Sequence, residues 1–405
     1  MRILITDGNE RASLAAARSL VQAGHAVSVC APMRLSLAGV SRRVRAHRLA
    51  TDPLYDPAGY VRELSSFLRH GSSTVLLPMT DPSVEAVLEH RDELPAGVTI
   101  PLPDLTTYRA ASDKAHVMAL AEQSGFAVPD TRVIMSERHA IPETPFFPAF
   151  VKPHRSVVQV NGTRRKLGVT PVADAAACRR ALEALPPAAF PVLLQRHVSG
   201  VGEGFFALRW GGRMVAMFAH RRLREKPPSG GVSVYRESIP LDESLAGPGA
   251  RLLEALDWNG VAMVECKRDR VSDRQVIMEV NGRFWGSLQL AIDAGVDFPE
   301  LLVRCAAGET VLGPREYRVG VRSRWFWGDV DQLYLRLRNG GSRLQAVREF
   351  LRGAAGDRGE VLRWRDPAPF AVETLQWFGL IPRTGGATSR SRAAPTESPR
   401  GSGVP

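Results

Sequence analysis

Short apolar strands alternate with helical periodicity over residues 1–105, and from residue 146 onward that alternation gives way to strand following strand. The first stretch opens with RILIT (2–6) and a polar loop, DGNERAS. ASLAAARSLVQAGHAV follows, its Ala, Leu and Val recurring at helical spacing up to a stop at Gly24. HAVSVCAP reads as a second strand, and STVLLPMTDPSVEAVLEH as another strand running into a helix. Strands separated by helices pair through crossovers, which predicts a parallel, doubly wound sheet. The turn after the first strand holds one glycine, Gly8, where the dinucleotide fingerprint needs three, so a nicotinamide dehydrogenase is poorly supported. The loop ends at 7–11 and 80–81 are expected to line a ligand crevice.

A helix is predicted over 112–124, capped by Ser112 and stopped by Gly125. Beyond it, FFPAFVKPHRS, PVLLQRHVSG, EGFFALRWGGRMVAMFAHRR, VAMVECKRD and QVIMEVNGRF are short strands linked by turns, an antiparallel α+β texture. WFWGDVDQLYLRLRN and SRLQAVREFLRG read as amphipathic helices, with Trp325 and Trp327 in packing positions. The expected division is 1–105, 106–190, 191–312, a helical segment at 313–383, and a Ser/Thr/Arg/Pro/Gly-rich tail at 384–405 expected to be disordered.

Of the 405 residues only four are Cys, in no metal-ligating spacing, so a disulfide scaffold and a cysteine-ligated zinc site are both disfavoured. No apolar run is long enough to cross a membrane, and the N-terminus lacks a basic-then-apolar leader, so a cytoplasmic protein is expected. Cationic side chains are 48 Arg and only five Lys: Lys114, Lys152, Lys166, Lys226 and Lys267. In a chain that uses Arg wherever a surface cation suffices, a retained Lys is a candidate for work that suits a compact point charge, such as contact with phosphate oxygens. Residues 315–405 carry 16 Arg against nine acids. Those Arg are spread among apolar helices rather than clustered, so nucleic-acid binding is not expected.

The chemistry concentrates in VAMVECKRDRVSDRQVIMEVNGRFW (261–285). Two strands flank a polar turn, and strand periodicity puts Ile277, Glu279 and Asn281 on one face. Pairing 263 with 279 would leave Glu265 diagonal to Glu279, about 7–8 Å away. Two carboxylates and an amide oxygen suit a hard divalent cation that completes its shell with phosphate oxygens.

That pattern, Glu265, a hairpin, then Glu-x-Asn-x-Arg, follows a Val-Lys-Pro strand and a Q-x-x-V-x-G-x-G-E segment. Together they resemble the ATP-grasp ligases over roughly residues 1–310. The ending EVNGRFWGSLQLAIDAGVDFPELL is most similar to the branch near the carbamoyl-phosphate synthase large subunit and D-aspartate ligase. The resemblance implies an α/β N-terminal doubly wound parallel sheet, then an α+β ATP-grasp fold with a helical C-terminal segment. It makes 1–105 the pre-ATP-grasp domain, 106–190 the small subdomain and 191–312 the nucleotide- and metal-binding subdomain. By resemblance Lys114 and Lys152 hold ATP phosphates, Gln195, Arg196 and Val198 frame the adenine, and Glu203 accepts from the ribose hydroxyls. Glu265, Glu279 and Asn281 match the Mg²⁺ ligands, with Mn²⁺ able to take its place. Arg283 matches the cation that stabilises the transferred phosphoryl group.

Two departures stand out. The phosphate-covering loop, often a run of glycines, is HRSVVQVNGTRRKLG here, with Arg164, Arg165 and Lys166 in it. The hinge position most often acidic is Arg196. The implied chemistry is an ATP-dependent carboxylate–amine ligation through an acyl-phosphate, with a small-molecule carboxylate and an amine as partners and a homodimer compatible with it. Substrate contacts are expected from Arg222, Arg224 and Lys226 in the basic loop HRRLREKPPSGGVSVYRES. A bicarbonate-activating carboxylase and a non-catalytic ATP- or RNA-binding protein remain as alternatives.

Overall fold

The computed structural model describes residues 1–68, 74–142, 146–160, 163–228, 230–339, 342–352 and 356–382; the tail expected at 384–405 lies outside them. The chain begins with β1 (Arg2–Ile5), α1 (Arg11–Gln22), β2 (Ala26–Ala31), β3 (Arg45–Arg48), α2 (Pro57–Leu68), β4 (Thr74–Leu77), α3 (Asp81–Glu89) and β5 (Val98–Thr99). The five strands pair in parallel in the order β3-β2-β1-β4-β5. Both faces of this sheet are covered, so its strands are apolar throughout rather than alternating with polar residues. Ile3 and Ile5 pack with the Ala-rich face of α1, while Leu4 packs with Tyr60, Val61 and Leu64 of α2. The chain winds outward from β1 to β3, then restarts at β4 on the other side of β1. The carboxyl ends of β1 and β4 therefore flank the topological switch point, where open sheets of this kind bind ligands. Asp7, at φ +54, follows β1, and α3 starts at Asp81 after β4.

Two helices follow, α4 (Leu105–Ser112) and α5 (Lys114–Gln123). The helix predicted over 112–124 thus begins at Lys114 with Asp113 as its cap, and Ser112 ends the preceding helix. The Asp113 carboxylate accepts from the Ala115 and His116 N–H groups at 2.9 and 3.1 Å, while the Ser112 hydroxyl donates back to the Tyr108 carbonyl at 2.9 Å. A carboxylate accepts more strongly than a hydroxyl, and it takes the cap. Next come β6 (Thr131–Ile134), β7 (Ala149–Pro153), the hairpin β8 (Val157–Val160) and β9 (Thr163–Lys166), β10 (Thr170–Val172), α6 (Ala175–Glu183) and β11 (Val192–Arg196). An antiparallel sheet in the order β10-β7-β11-β6 buries Val151, Val192 and Leu194 against Cys178 and Leu182 of α6. β11 pairs with both β6 and β7, so this sheet crosses the division expected at 190/191.

The remainder builds β12 (Gly200–Trp210), β13 (Arg213–Lys226), β14 (Val232–Ser238), α7 (Glu243–Ala255), β15 (Gly260–Asp269), β16 (Gln275–Asn281), α8 (Leu288–Ala294) and α9 (Phe298–Ala306). After them come β17 (Arg322–Arg324), α10 (Phe326–Arg338), α11 (Arg343–Arg352), β18 (Arg358–Gly359) and α12 (Ala368–Trp377). Seven strands form one sheet, β16-β15-β12-β13-β14-β17-β18. The C-terminal segment, expected to be helical, therefore also lends two strands to this sheet. Phe205, Ala207, Val264 and Cys266 pack on one face with Leu252 and Leu253 of α7. Phe206, Leu208, Phe218 and Met263 pack on the other with α8 and α9, and that cluster is continuous with Ile3, Ile5 and α1. The parallel sheet is thereby bound to the large antiparallel sheet by a shared hydrophobic core. Trp327 stacks on Trp377 with centroids 4.3 Å apart, a packing role for the C-terminal aromatics. Among the described residues no helix is long and apolar enough to cross a membrane.

Candidate active site

Glu265 and Glu279 stand directly opposite each other on β15 and β16, and Met263 pairs with Asn281. This replaces the expected diagonal arrangement and brings the carboxylates closer. A bulge between Glu265 and Cys266 inserts an extra residue on β16, so Cys266 pairs with Ile277. Ile277 accordingly packs with Val264, Cys266 and Val280, on the face away from Glu279, and not beside it as strict alternation predicts. The bulge frees Glu279 and Asn281 to share the face of Glu265.

Around the two acids the structure gathers cations. The Lys114 Nζ lies 3.9 Å from the Glu279 carboxylate, brought there because Asp113 starts α5 and the Lys114 N–H donates to the His154 carbonyl at 3.1 Å. Lys152, on β7, donates to the Gln195 side-chain oxygen on β11; these strands pair 193 with 152. Burial lowers the Lys152 ammonium from its usual range, with Glu279 acting against that and Lys114 adding to it. Burial would raise the Glu279 carboxyl, but Lys114 and Lys152 hold it below its ordinary value. Burial, together with Glu279 opposite, raises the Glu265 carboxyl, although Arg222 at 2.6 Å opposes the shift. The Asn281 amide donates to Glu279 at 3.1 Å, and its oxygen accepts from Arg283 at 3.4 Å.

Arg283 forms a two-pronged pair with Asp81, at 2.7 and 3.1 Å, which ties the large sheet's site to the switch point of the parallel sheet. Burial alone would raise the Asp81 carboxyl; Arg283 pulls it down to about 2. Asp81 also separates two hollows. A cavity of about 30 Å³ is lined by Lys114, Glu279 and Asn281, and one of about 450 Å³ by Asp7, Glu10, Lys166 and Arg283.

Other expected site residues lie apart from the paired acids or already hold partners. Glu203 pairs with Cys266 across β12 and β15, and Gly204 pairs with Glu265. Cross-strand partners share a face, so Glu203 points to the face opposite Glu265, where Arg268 lies 3.8 Å away and burial raises its carboxyl. Arg224 and Lys226 are held by Asp329 and Asp331 of α10 at 2.7 and 2.5 Å, so they are ion-paired and not free for substrate. Arg222 does reach the site, but as the partner of Glu265 and, at 2.9 Å, of Glu225. Arg196 ends β11 in an exposed position, its N–H donating to the Asp130 carbonyl at 2.9 Å.

Lys267, singled out by the scarcity of Lys but given no site role in the sequence, shares the face of Glu265, and its ammonium donates to the Val198 carbonyl at 3.1 Å. Asp81 was only half legible, as part of a crevice loop and without its arginine.

Among the described residues no three His, Cys, Asp or Glu gather into a metal cluster. The donor set is two carboxylates and an amide, all hard oxygens, and needs further oxygens from a nucleotide to complete a magnesium shell. Those residues fit that ion on chemistry.

Residues 207–327, from β12 into α10, match the family model described as "ATP-grasp in the biosynthetic pathway with Ter operon". No curated protein matches the chain. The L-amino acid ligase of Bacillus licheniformis is similar at 15% identity and a TM-score of 0.56, over 75% of this chain and 73% of its own. N5-carboxyaminoimidazole ribonucleotide synthetase from Thermus thermophilus is similar at 17% and 0.55, over 80% and 81%. The biotin carboxylase domain of Hydrogenobacter thermophilus 2-oxoglutarate carboxylase, solved with MgADP and bicarbonate, is similar at 14% and 0.59, over 79% and 73%. The chain has the ATP-grasp fold.

Proposed function

We propose that this chain is an ATP-dependent carboxylate–amine ligase that works through an acyl-phosphate with Mg²⁺. The observation that carries the reading is the opposed pair Glu265 and Glu279 with Asn281 beside them, set among Lys114, Lys152 and Arg283. Glu265, Glu279 and Asn281 would hold Mg²⁺, which when bound neutralises phosphate charge and aligns the triphosphate. Lys114 and Lys152 would hold phosphate oxygens as point charges, while the backbone at Gln195, Arg196 and Val198 frames the base. Arg283, fixed by Asp81, would stabilise the phosphoryl group as it passes to a substrate carboxylate. Arg222 pairs with Glu265 and opposes the rise of its carboxyl.

The large cavity beside Arg283 favours a substrate bigger than bicarbonate. The test is Mg²⁺-dependent ADP release from ATP with pools of amino acids, small carboxylates and bicarbonate. A carboxylate with an amine is expected to stimulate release, and Glu279→Gln to reduce it by about 100-fold or more. Turnover driven by bicarbonate alone would replace the ligase reading with a carboxylase one.

A further inference from the structure

The cavity of about 450 Å³ at the switch point lies on the far side of the Asp81–Arg283 pair from Glu279 and Asn281. Its size falls within the range of small-molecule sites, about 300–1,000 Å³. Its charge is unusual for its position. In dinucleotide-binding sheets this crevice offers glycine amides to phosphate; here Asp7 and Glu10 face it, with Asp52 and Asp81 also lining it. The facing cations are Arg283, already bound by Asp81, and Lys166. Carboxylates outnumber cations, so a phosphorylated ligand would be repelled from the β1 end.

Asp7 is built in. Its Oδ2 accepts from the Thr6 hydroxyl, from Ser83 at 2.6 Å and from the Met79 N–H at 3.3 Å, on a backbone at φ +54. A non-glycine residue in that left-handed region is strained and persists where surrounding structure holds it. Glu10 is different. It occupies the N-cap of α1 without capping it, and its carboxylate makes no hydrogen bond or ion pair with another described residue. Burial first, and Asp7 second, raise its carboxyl above the ordinary value. Arg11, Arg283 and Lys166 oppose that rise without forming an ion pair with Glu10, which stands half-buried at the cavity wall beside a second acid. Ala12, Leu49, Leu54, Tyr60, Met79 and Phe284 give the rest of the wall an apolar character.

We infer that this cavity binds the acyl-donor substrate, and that the donor is an apolar amino acid. Its ammonium is held by Glu10 and Asp7, its side chain lies on the apolar wall, and its carboxylate is beside Arg283, facing the ATP site. This rests on the ligase reading above and deepens it. The assignment of donor follows from the acids. An ammonium paired with carboxylates keeps its protons and has no lone pair, so it cannot be the attacking amine. The carboxylate oxygen forms the new bond to the γ-phosphorus. The bond from that phosphorus to the β–γ bridging oxygen breaks, and its electron pair leaves with ADP. A second molecule, an amine in its free-base form, then attacks the acyl carbon; the acyl C–O bond breaks, its electron pair leaves with inorganic phosphate, and one N–H proton of the amine passes to that phosphate.

Calorimetric titration of the full chain tests this without ATP. The probes are leucine, methionine and phenylalanine in both enantiomers, each against a counterpart lacking the ammonium (4-methylpentanoate, 4-(methylthio)butanoate, 3-phenylpropanoate). At least one amino acid is expected to bind at least about tenfold more tightly than its deamino counterpart, the effect of a charge-assisted contact. Glu10→Gln, which keeps the shape and removes the charge, is expected to cost about tenfold in the Kd of that amino acid. Equal binding of the deamino acids, or no amino-acid binding at all, overturns the inference; so does a folded Glu10→Gln that binds as the wild type does. If Glu10→Gln fails to fold, the wild-type comparison of paired probes decides alone. A parallel titration with MgATP separates the two claims: absence of ATP binding removes the ligase reading, and amino-acid binding without ATP binding sinks that reading and not the cavity assignment.

Discussion

Asp81 shows how one side chain joins two sheets, and its ionisation can be followed. Its carboxyl sits at about 2 against an ordinary 3.8, because the Arg283 guanidinium outweighs the effect of burial. A carboxyl depressed in the folded state adds stability above its unfolded pKa and loses it as pH falls through the folded one. The stability lost in Asp81→Asn, read from urea unfolding, is therefore expected to be about 2 kcal/mol near neutral pH. It should shrink as pH drops from about 4 toward about 2. A difference constant across that window would mean that the pair does not hold Asp81 charged. At this scale the sequence was informative about type and weak about geometry. Arg dominates the chain so heavily that Lys114, Lys152 and Lys267 stood out, and all three lie around the paired acids. Lys226 carried the same compositional signal and Arg224 lies in the same basic loop, yet Asp331 and Asp329 bind them, and those partners lie more than a hundred residues away in the chain.

At the scale of elements, strand alternation and helix caps were readable while bulges were not. Nothing at Met278 marks an inserted residue: it is neither glycine nor proline, and the bulge that moves Ile277 to the other face has no local signature. For the same reason the spacing of Glu203 does not tell which face it takes relative to Glu265, since that depends on its register with β15. The β8–β9 hairpin offers an element-level prediction. The Arg164 N–H donates to the Leu54 carbonyl at 3.1 Å, and its guanidinium pairs with Glu89, which also binds Arg109. Side-chain ties thus anchor to the parallel sheet a segment that glycines would leave free. In Glu89→Ala, amide hydrogen exchange in β8 and β9 is expected to accelerate about tenfold while exchange in β12 and β15 stays unchanged. Unchanged exchange in the hairpin would show that the Leu54 contact suffices.

Across the whole molecule, the C-terminal segment straps the parallel sheet to the large one. Glu360 is buried and accepts from Arg11 of α1 at 2.6 Å and from Arg236 of β14. Asp366 binds Arg18 at 2.9 Å and Ser41 at 2.6 Å. Burial pushes the Arg236 guanidinium down to about 10 even with Glu360 beside it. Removing the acid leaves two arginines facing each other without a counter-charge, so Glu360→Ala is expected to destabilise the protein by about 3–5 kcal/mol in urea unfolding. A loss under about 1 kcal/mol would show that the strap is held by packing instead. The doubly wound sheet, the antiparallel sheets after it and the paired acids were legible because hydrophobic periods of 3.6 and 2 and the position of acidic residues inside apolar strands are local features. The strap was not, because its strands are too short for a period and its partners on α1, Arg11 and Arg18, lie some 350 residues back.

The most direct test of an acyl-phosphate is where the substrate's oxygen goes. With a carboxylate substrate labelled with ¹⁸O in both oxygens, incubated with MgATP and the accepting amine, the inorganic phosphate released should carry one ¹⁸O. The oxygen that attacked the γ-phosphorus stays with phosphorus when the amine attacks the acyl carbon. Unlabelled phosphate from a reaction that forms the amide, or release of AMP and pyrophosphate, would contradict the mechanism.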